Sequence, residues 1–266
     1  MTRHMRGAHP RESERMGNLV TMDDLSNDDI IAILDDAERL VPVAMGEILL
    51  PLLQGKVLAN MFFENSTRTR MSFETAMKRL GGSVLNFSSV GTSVSKGETL
   101  YDTMQMIDGY ADVAAIRHPR QGAAQYSADA VGIPILNAGD GAGNHPTQTM
   151  LDLFTIRQAH ESLDGLNVVL VGDLRYGRTA HSLSHALVRF GASLTLVSPN
   201  SLKMPVEIVS DLRANGSDVT EIESLNEQIT GADVIYMTRI QKERFPDEEE
   251  YAKVAGIYKI EATDLT

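Results

Sequence analysis

Residues 56–80, KVLANMFFENSTRTRMSFETAMKRL, decide how the chain folds. The apolar run Val57 to Phe63 reads as a buried strand, and Glu64-Asn65 as the turn that ends it. Ser66-Thr67-Arg68-Thr69-Arg70 follows, and Phe73, Ala76, Met77 and Leu80 then recur at helical spacing until Gly81-Gly82. The pentapeptide therefore sits where a strand hands over to a helix N-terminus, among free backbone N–H groups and the positive end of the helix dipole. Three hydroxyls and two guanidiniums add side-chain donors, and an arginine can grip phosphate oxygens two at a time. For Ser-Thr alone, a helix cap beside two solvated arginines is the plain alternative. The whole string after a buried strand favours a phosphate site.

The rest of the chain repeats this alternation of strand and helix. Ser26, with Asp28 and Asp29 behind it, reads as the cap of a helix carrying Ile30, Ile31, Leu34 and Ala37 on one face. Strands are expected at Ser83 to Phe87, Ala111 to Ile116 and Ile133 to Asn137, with a helix through Leu100, Met104, Ile107 and Tyr110. Between them lies a small polar loop, Ser88 to Thr99, whose only cation is Lys96; such loops often close over ligands. Arg117 falls at a strand's carboxyl end, where ligands gather in open parallel sheets. The glycines of Ala138 to Asn144 would let the backbone approach a ligand. Pro146 suits the first position of a helix running through Leu151 and Phe154, with His145 and Gln148 three apart at its start.

From Gly165 a second β-α-β unit begins: strand Leu166 to Val171, a helix with Leu183, Ala186, Leu187 and Phe190, and strand Ser193 to Val197. Helix Met204 to Asn215, strand Val219 to Ile222, a short helix Leu225 to Ile229 and strand Val234 to Met237 follow. The first of these turns lacks the G-x-G-x-x-G spacing, and no acidic residue closes the next strand, which argues against a nicotinamide cofactor. The pattern predicts an α/β chain of two domains, each a parallel sheet flanked by helices. The expected domains are 16–146 and 147–266, after a disordered extension over 1–15 with Met16 as the natural start.

Composition narrows the function. The chain of 266 residues is 42% hydrophobic and 23% charged, a globular balance, and no run approaches the ~18 apolar residues of a membrane span. Its net charge of −12 argues against nucleic acid as a partner, so arginines that serve anionic ligands must be gathered locally. With no cysteine there is neither a disulfide framework nor a thiolate metal site. Arg3, Arg6, Arg11 and Arg15 lie in a stretch without the hydrophobic segment of a secretory signal.

FFENSTRTRMSFE strongly resembles the carbamoyl-phosphate motif of the transcarbamoylases, of the aspartate carbamoyltransferase catalytic chains in particular, and the similarity runs from about Leu25 to the end. The resemblance implies the transcarbamoylase fold and transfer of a carbamoyl group from carbamoyl phosphate to the amino group of L-aspartate, in cytoplasmic pyrimidine biosynthesis. Neither cofactor nor metal is implied. Ser66, Thr67, Arg68 and Thr69 would hold carbamoyl phosphate with Arg117, His145 and Gln148. SVSKGETLYDT resembles the family loop that reaches a neighbouring subunit's site, so Lys96 and Ser93 would act across a homotrimer boundary, Lys96 touching both substrates. VGDLRYGRTAHSL and TRIQKER resemble the aspartate-binding segments, which assigns Arg178, Arg239 and Gln241 to aspartate. Arg244 would tie its loop to Glu64 on domain closure. The implied catalytic set is Arg68, Thr69, Lys96, Arg117 and His145, with no covalent nucleophile.

Arg239 argues against ornithine, whose cationic side chain it would repel. The family's catalytic chains continue with a His-Pro-Leu-Pro loop and a final helix that this sequence does not contain, so weakened catalysis and an uncovered apolar surface on the first domain are expected. The same feature favours the rival reading, a non-catalytic scaffold, while retention of every ligand position disfavours it. The resemblance leaves room for a separate regulatory chain.

Overall fold

In the computed structural model the described residues are 17–88, 93–141, 143–225, 231–240, 248–252, 254 and 256–260. They form two four-stranded sheets in which every neighbouring pair is parallel. Helix α1 (Asn27–Met45) precedes the first sheet, made of β1 (Val57–Phe62), β2 (Ser83–Ser88), β3 (Val113–His118) and β4 (Ile135–Asp140) in the order β2-β1-β3-β4. Its crossovers are α2 (Thr67–Arg79), α3 (Leu100–Asp108) and α4 (Ala123–Ala130). Helix α5 (Pro146–His160) leads to β5 (Asn167–Val171), β6 (Ser193–Val197), β7 (Val219–Ile222) and β8 (Val234–Met237), ordered β7-β6-β5-β8, with α6 (Arg178–Val188) and α7 (Val206–Ala214) between strands. A single turn, α8 (Glu248–Ala252), follows.

Strands covered on both faces read as near-continuous apolar runs, and the central strands β1 and β5 do. All of β1 after Val57, and all of β5 after Asn167, is buried. The ends of β3 and β4 fall two to three residues later than the sequence suggests. Before β3, Asp112 receives the N–H of Val57 at 2.9 Å and the ammonium of Lys56 at 3.1 Å, so the ladder starts one residue further on. Helix α4 has no apolar stripe to announce it, because the residues it buries are Ala123, Ala124 and Ser127. Some helix faces are rotated from their expected positions. Helix α5 buries Met150, Leu153 and Ile156 and exposes Leu151; α1 buries Ile30 and Leu34 but not Ile31; α2 buries Met77 and exposes Ala76. Leu225 is buried but not helical, and the rest of the expected helix to Ile229 lies outside the described residues.

The outer edge of β4 is covered by residues 18–20. Leu19 donates to Ile135 O at 2.9 Å and accepts from Asn137 N at 2.8 Å, a parallel bridge beyond the named strands. Asn137, wholly buried, secures this strap by donating Nδ2 to Val20 O at 2.9 Å, while its Oδ1 accepts Gly139 N at 2.8 Å.

The chain divides into two compact units, one comprising residues up to Asp24 with Asp36–Thr147, the other Leu25–Asp35 with Gln148–Thr266. The sequence places residues 16–146 together; here the start of α1 groups with the second unit. Arg189 donates to Asn27 Oδ1 at 2.8 Å and to Leu25 O at 2.6 Å, and Arg157 pairs with Asp35 at 2.7 Å. Ser26 caps α1 as expected, its Oγ accepting Asp29 N at 3.1 Å while Asp29 accepts Ser26 N at 2.9 Å.

Asn137→Ala leaves the Val20 carbonyl and the Gly139 amide without their partners inside the first unit. Chemical denaturation is expected to show a loss of about 2–4 kcal/mol, from the desolvation cost of orphaned groups; a loss under about 1 kcal/mol would mean the strap is not held by Asn137.

Candidate active site

In the first sheet the chain leaves β1 for β2 on one side and then crosses to β3 on the other. The carboxyl ends of β1 and β3 thus flank a topological switch point, where α/β sheets open a crevice. In the second sheet β5 and β8 flank the equivalent point. Ser66 to Arg70 and Arg117 fall at the first of these places, and Arg178 and Arg239 follow β5 and β8 at the second.

Ser66 to Arg70 occupies the β1–α2 junction. Ser66 is the extended residue before α2, at φ −157° and ψ 104°, and its hydroxyl makes no capping bond to the helix. Asn60, buried within the apolar run of β1, donates to Arg70 O at 3.0 Å and so ties the first turn of α2 to the strand. A polar cavity of about 400 Å³ opens here, lined by Glu64, Asn65, Ser66, Thr67 and Arg70 against Phe62, Phe87 and Ser88. Arg70 lines it, whereas Arg68 is exposed and Thr69 half-buried outside its lining.

Arg117 is next to this junction by register, opposite Phe62 of β1. The β3–β4 register slips between Ile116 and His118, where two residues of β4, Ala138 and Gly139, oppose Arg117 alone. Such a bulge re-aims a side chain. The Arg117 guanidinium donates to Ala138 O at 3.3 Å and to Glu64 Oε1 at 3.1 Å, and its buried Nε has no partner among the described residues. Glu64, expected to meet Arg244 on closure, is therefore paired with Arg117; Arg244 lies outside the described residues.

The glycine-rich segment before α5 is organised from within. Buried Asp140 accepts Asn144 N and Gly122 N, both at 2.8 Å. Gly141 has φ +54°, and a Cβ there would stand 2.8 Å from Pro119 O; the close approach is to the protein's own backbone. His145 is buried, its Nδ1 3.3 Å from Thr147 Oγ1. Ser93 opens and Lys96 closes a single 3-10 turn, with Lys96 exposed.

In the second unit, β5 ends at Val171 and is followed by Gly172 and Asp173, and Arg178 opens α6. Gly172 has φ +117°, and a Cβ there would lie 2.4 Å from Thr238 O, so β5 and β8 close tightly just where they end. Arg239 is exposed beyond β8, and Gln241 is outside the described residues. Gln148, on α5, donates Nε2 to Asp152 Oδ1 at 3.0 Å, and Tyr236 of β8 donates its hydroxyl to Asp152 Oδ2 at 3.0 Å. Burial raises the Asp152 carboxyl above its usual range, and burial together with Asp152 pushes the Tyr236 phenol up to about 12. Nothing in the sequence points to Asp152, which reads as one more acid on a helix; its i, i+4 spacing from Gln148 was the available signal.

Residues 17–158 match the family described as aspartate/ornithine carbamoyltransferase, carbamoyl-P binding domain, and residues 164–265 match its Asp/Orn binding domain. The chain belongs to the aspartate/ornithine carbamoyltransferase family. Among carbamoyltransferases of that family it is 53% identical to the aspartate carbamoyltransferase catalytic subunit of Methanothermobacter thermautotrophicus, over 93% of this chain and 80% of the relative. It is 54% identical to the Methanococcoides burtonii catalytic subunit, over 90% of this chain and 78% of the relative. The solved catalytic subunit of M. jannaschii aspartate transcarbamoylase superposes with a TM-score of 0.85 at 49% identity, covering 92% of this chain and 81% of that one. The Trypanosoma cruzi aspartate transcarbamoylase in complex with N-(phosphonacetyl)-L-aspartic acid superposes with a TM-score of 0.87 at 40% identity, covering 96% and 82%. The fold is thus the transcarbamoylase fold, as the resemblance implied. No helix among the described residues is long and apolar enough to cross a membrane.

Burial makes two histidines beside these segments harder to protonate. Burial lowers His118, which accepts Arg120 N at 3.0 Å, and burial lowers His181, whose Nε2 lies 2.7 Å from Leu174 O. A folded pKa below the unfolded value means the unfolded chain takes up protons first, so stability is full above the unfolded value of about 6.5 and is lost as pH falls from there. Unfolding free energy is expected to fall between about pH 6.5 and 5, less steeply in His181→Gln; identical slopes would remove His181 from the account.

Proposed function

We propose that this chain transfers the carbamoyl group of carbamoyl phosphate to the amino group of L-aspartate, giving N-carbamoyl-L-aspartate and phosphate. One observation carries the reading beyond family membership. An acidic chain places arginine-bearing sites at the switch points of both its sheets, Ser66–Arg70 with Arg117 in one unit and Arg178 with Arg239 in the other. The first set suits a phosphate, the second the two carboxylates of aspartate.

The uncharged amine attacks the carbonyl carbon. A C–N bond forms, negative charge grows on the carbonyl oxygen, and the C–O bond to phosphate then breaks. The nitrogen loses a proton, for which the departing phosphate is a base at hand. Thr69, Arg117 and His145 stabilise the oxyanion, and Gln148 holds the carbamoyl nitrogen. Ser66, Thr67 and Arg68 hold the phosphate, joined by Arg70, which lines the cavity. Lys96, with Ser93, completes the site from a neighbouring subunit in a homotrimer. Arg178, Arg239 and Gln241 orient aspartate so that its nitrogen meets the carbon, and such positioning contributes ~7–11 kcal/mol in favourable systems.

L-aspartate is expected to release phosphate from carbamoyl phosphate and L-ornithine is not; no release with either would leave the scaffold reading. Arg239→Ala, which removes a charge-assisted contact worth about 1.5–3 kcal/mol, is expected to raise KM for aspartate roughly 10- to 100-fold and leave KM for carbamoyl phosphate nearly unchanged.

A further inference from the structure

Asp152 lies one helical turn beyond Gln148 on α5 and is half-buried. It takes part in no ion pair among the described residues. Instead its two oxygens each accept one hydrogen bond at 3.0 Å, from Gln148 Nε2 and from the Tyr236 hydroxyl. A carboxylate only accepts hydrogen bonds, so it dictates which way the Gln148 amide is turned. The nitrogen is engaged, and Oε1 is left to accept from a ligand. Tyr236 fixes the carboxylate in turn. Its hydroxyl also bonds Thr179, the residue after Arg178, and it lies three residues before Arg239. One half-buried acid therefore links the amide that takes the carbamoyl group to the two segments that carry the aspartate-binding arginines.

We propose that Asp152 is a positioning residue for carbamoyl transfer, fixing the Gln148 amide so that its oxygen, not its nitrogen, receives the carbamoyl –NH2, with Tyr236 holding the carboxylate in place. The proposal rests on the reading of the site given above. In Asp152→Asn the replacement amide can donate, so Gln148 is free to flip and present a donor to a donor. The loss then falls on the carbamoyl group alone. Inorganic phosphate, which shares the phosphate contacts and has no carbamoyl group, is the internal control.

The test measures steady-state transfer, inhibition by inorganic phosphate and thermal unfolding for the wild type, Asp152→Asn, Tyr236→Phe, Gln148→Ala and the Asp152→Asn/Gln148→Ala double variant. Asp152→Asn is expected to lower kcat/KM for carbamoyl phosphate roughly 10- to 100-fold, the scale of a lost charged hydrogen bond, and to leave the phosphate inhibition constant within about twofold. Tyr236→Phe should lower it less and with the same selectivity. The double variant should be no worse than Gln148→Ala alone, as for two residues acting through one contact. An equal loss of phosphate binding, or additive losses in the double variant, would overturn the proposal. Should Asp152→Asn fail to fold, Tyr236→Phe with unchanged kcat/KM overturns it equally. A wild type without aspartate-dependent transfer would defeat the functional reading instead, so the two failures are distinct.

Discussion

A parallel sheet sends every one of its strands' carboxyl ends to the same edge, and the positions of the candidate site residues follow from that constraint. Because each strand must be rejoined from the same end, each crossover helix begins at that edge, and its N-terminal amides collect there. Order then concentrates the effect. Where the chain reverses direction across the sheet, two of these junctions stand side by side without a connection over them. The structure uses this geometry twice, with Ser66–Arg70 and Arg117 at one edge and Arg178 and Arg239 at the other. A net charge of −12 spread elsewhere does not weaken either site, since fields of exposed charges decay within about 8 Å at physiological salt.

Strand bounds were legible through most of the chain: β6, β7 and β8 begin and end as the sequence suggests, and β1 and β5 differ by a residue, whereas the buried β3 and β4 end two to three residues later. Legibility failed where small or polar residues do the packing. Helix α4 buries alanines and a serine, which carry no periodic signal, and the strap at Leu19 is held by backbone bonds and Asn18 and Asn137. Helix faces slipped by one position where a large side chain such as Leu151 is left exposed, because spacing alone does not say which of two adjacent apolar residues faces inward.

The candidate site divides along similar lines. Its positively charged members announce themselves by residue type at a strand-to-helix junction. The polar groups behind the candidate site do not: Asn60, which holds the first turn of α2, is hidden inside an apolar run, and Asp152, which accepts from Gln148 and Tyr236, reads as an ordinary helix acid. The glycines around residue 141 mislead in the opposite direction, since Gly141 accommodates Pro119. Residues that bind are recognisable from their own chemistry; residues that orient them are recognisable only from what they touch.

The Glu64–Arg117 pair gives the first site a threshold. Its guanidinium is not waiting in water: an internal carboxylate already satisfies part of it at 3.1 Å. An incoming anion must therefore outcompete Glu64 rather than a hydration shell. What it gains is the difference between two paired states of one arginine, not the whole of a charge-assisted bond.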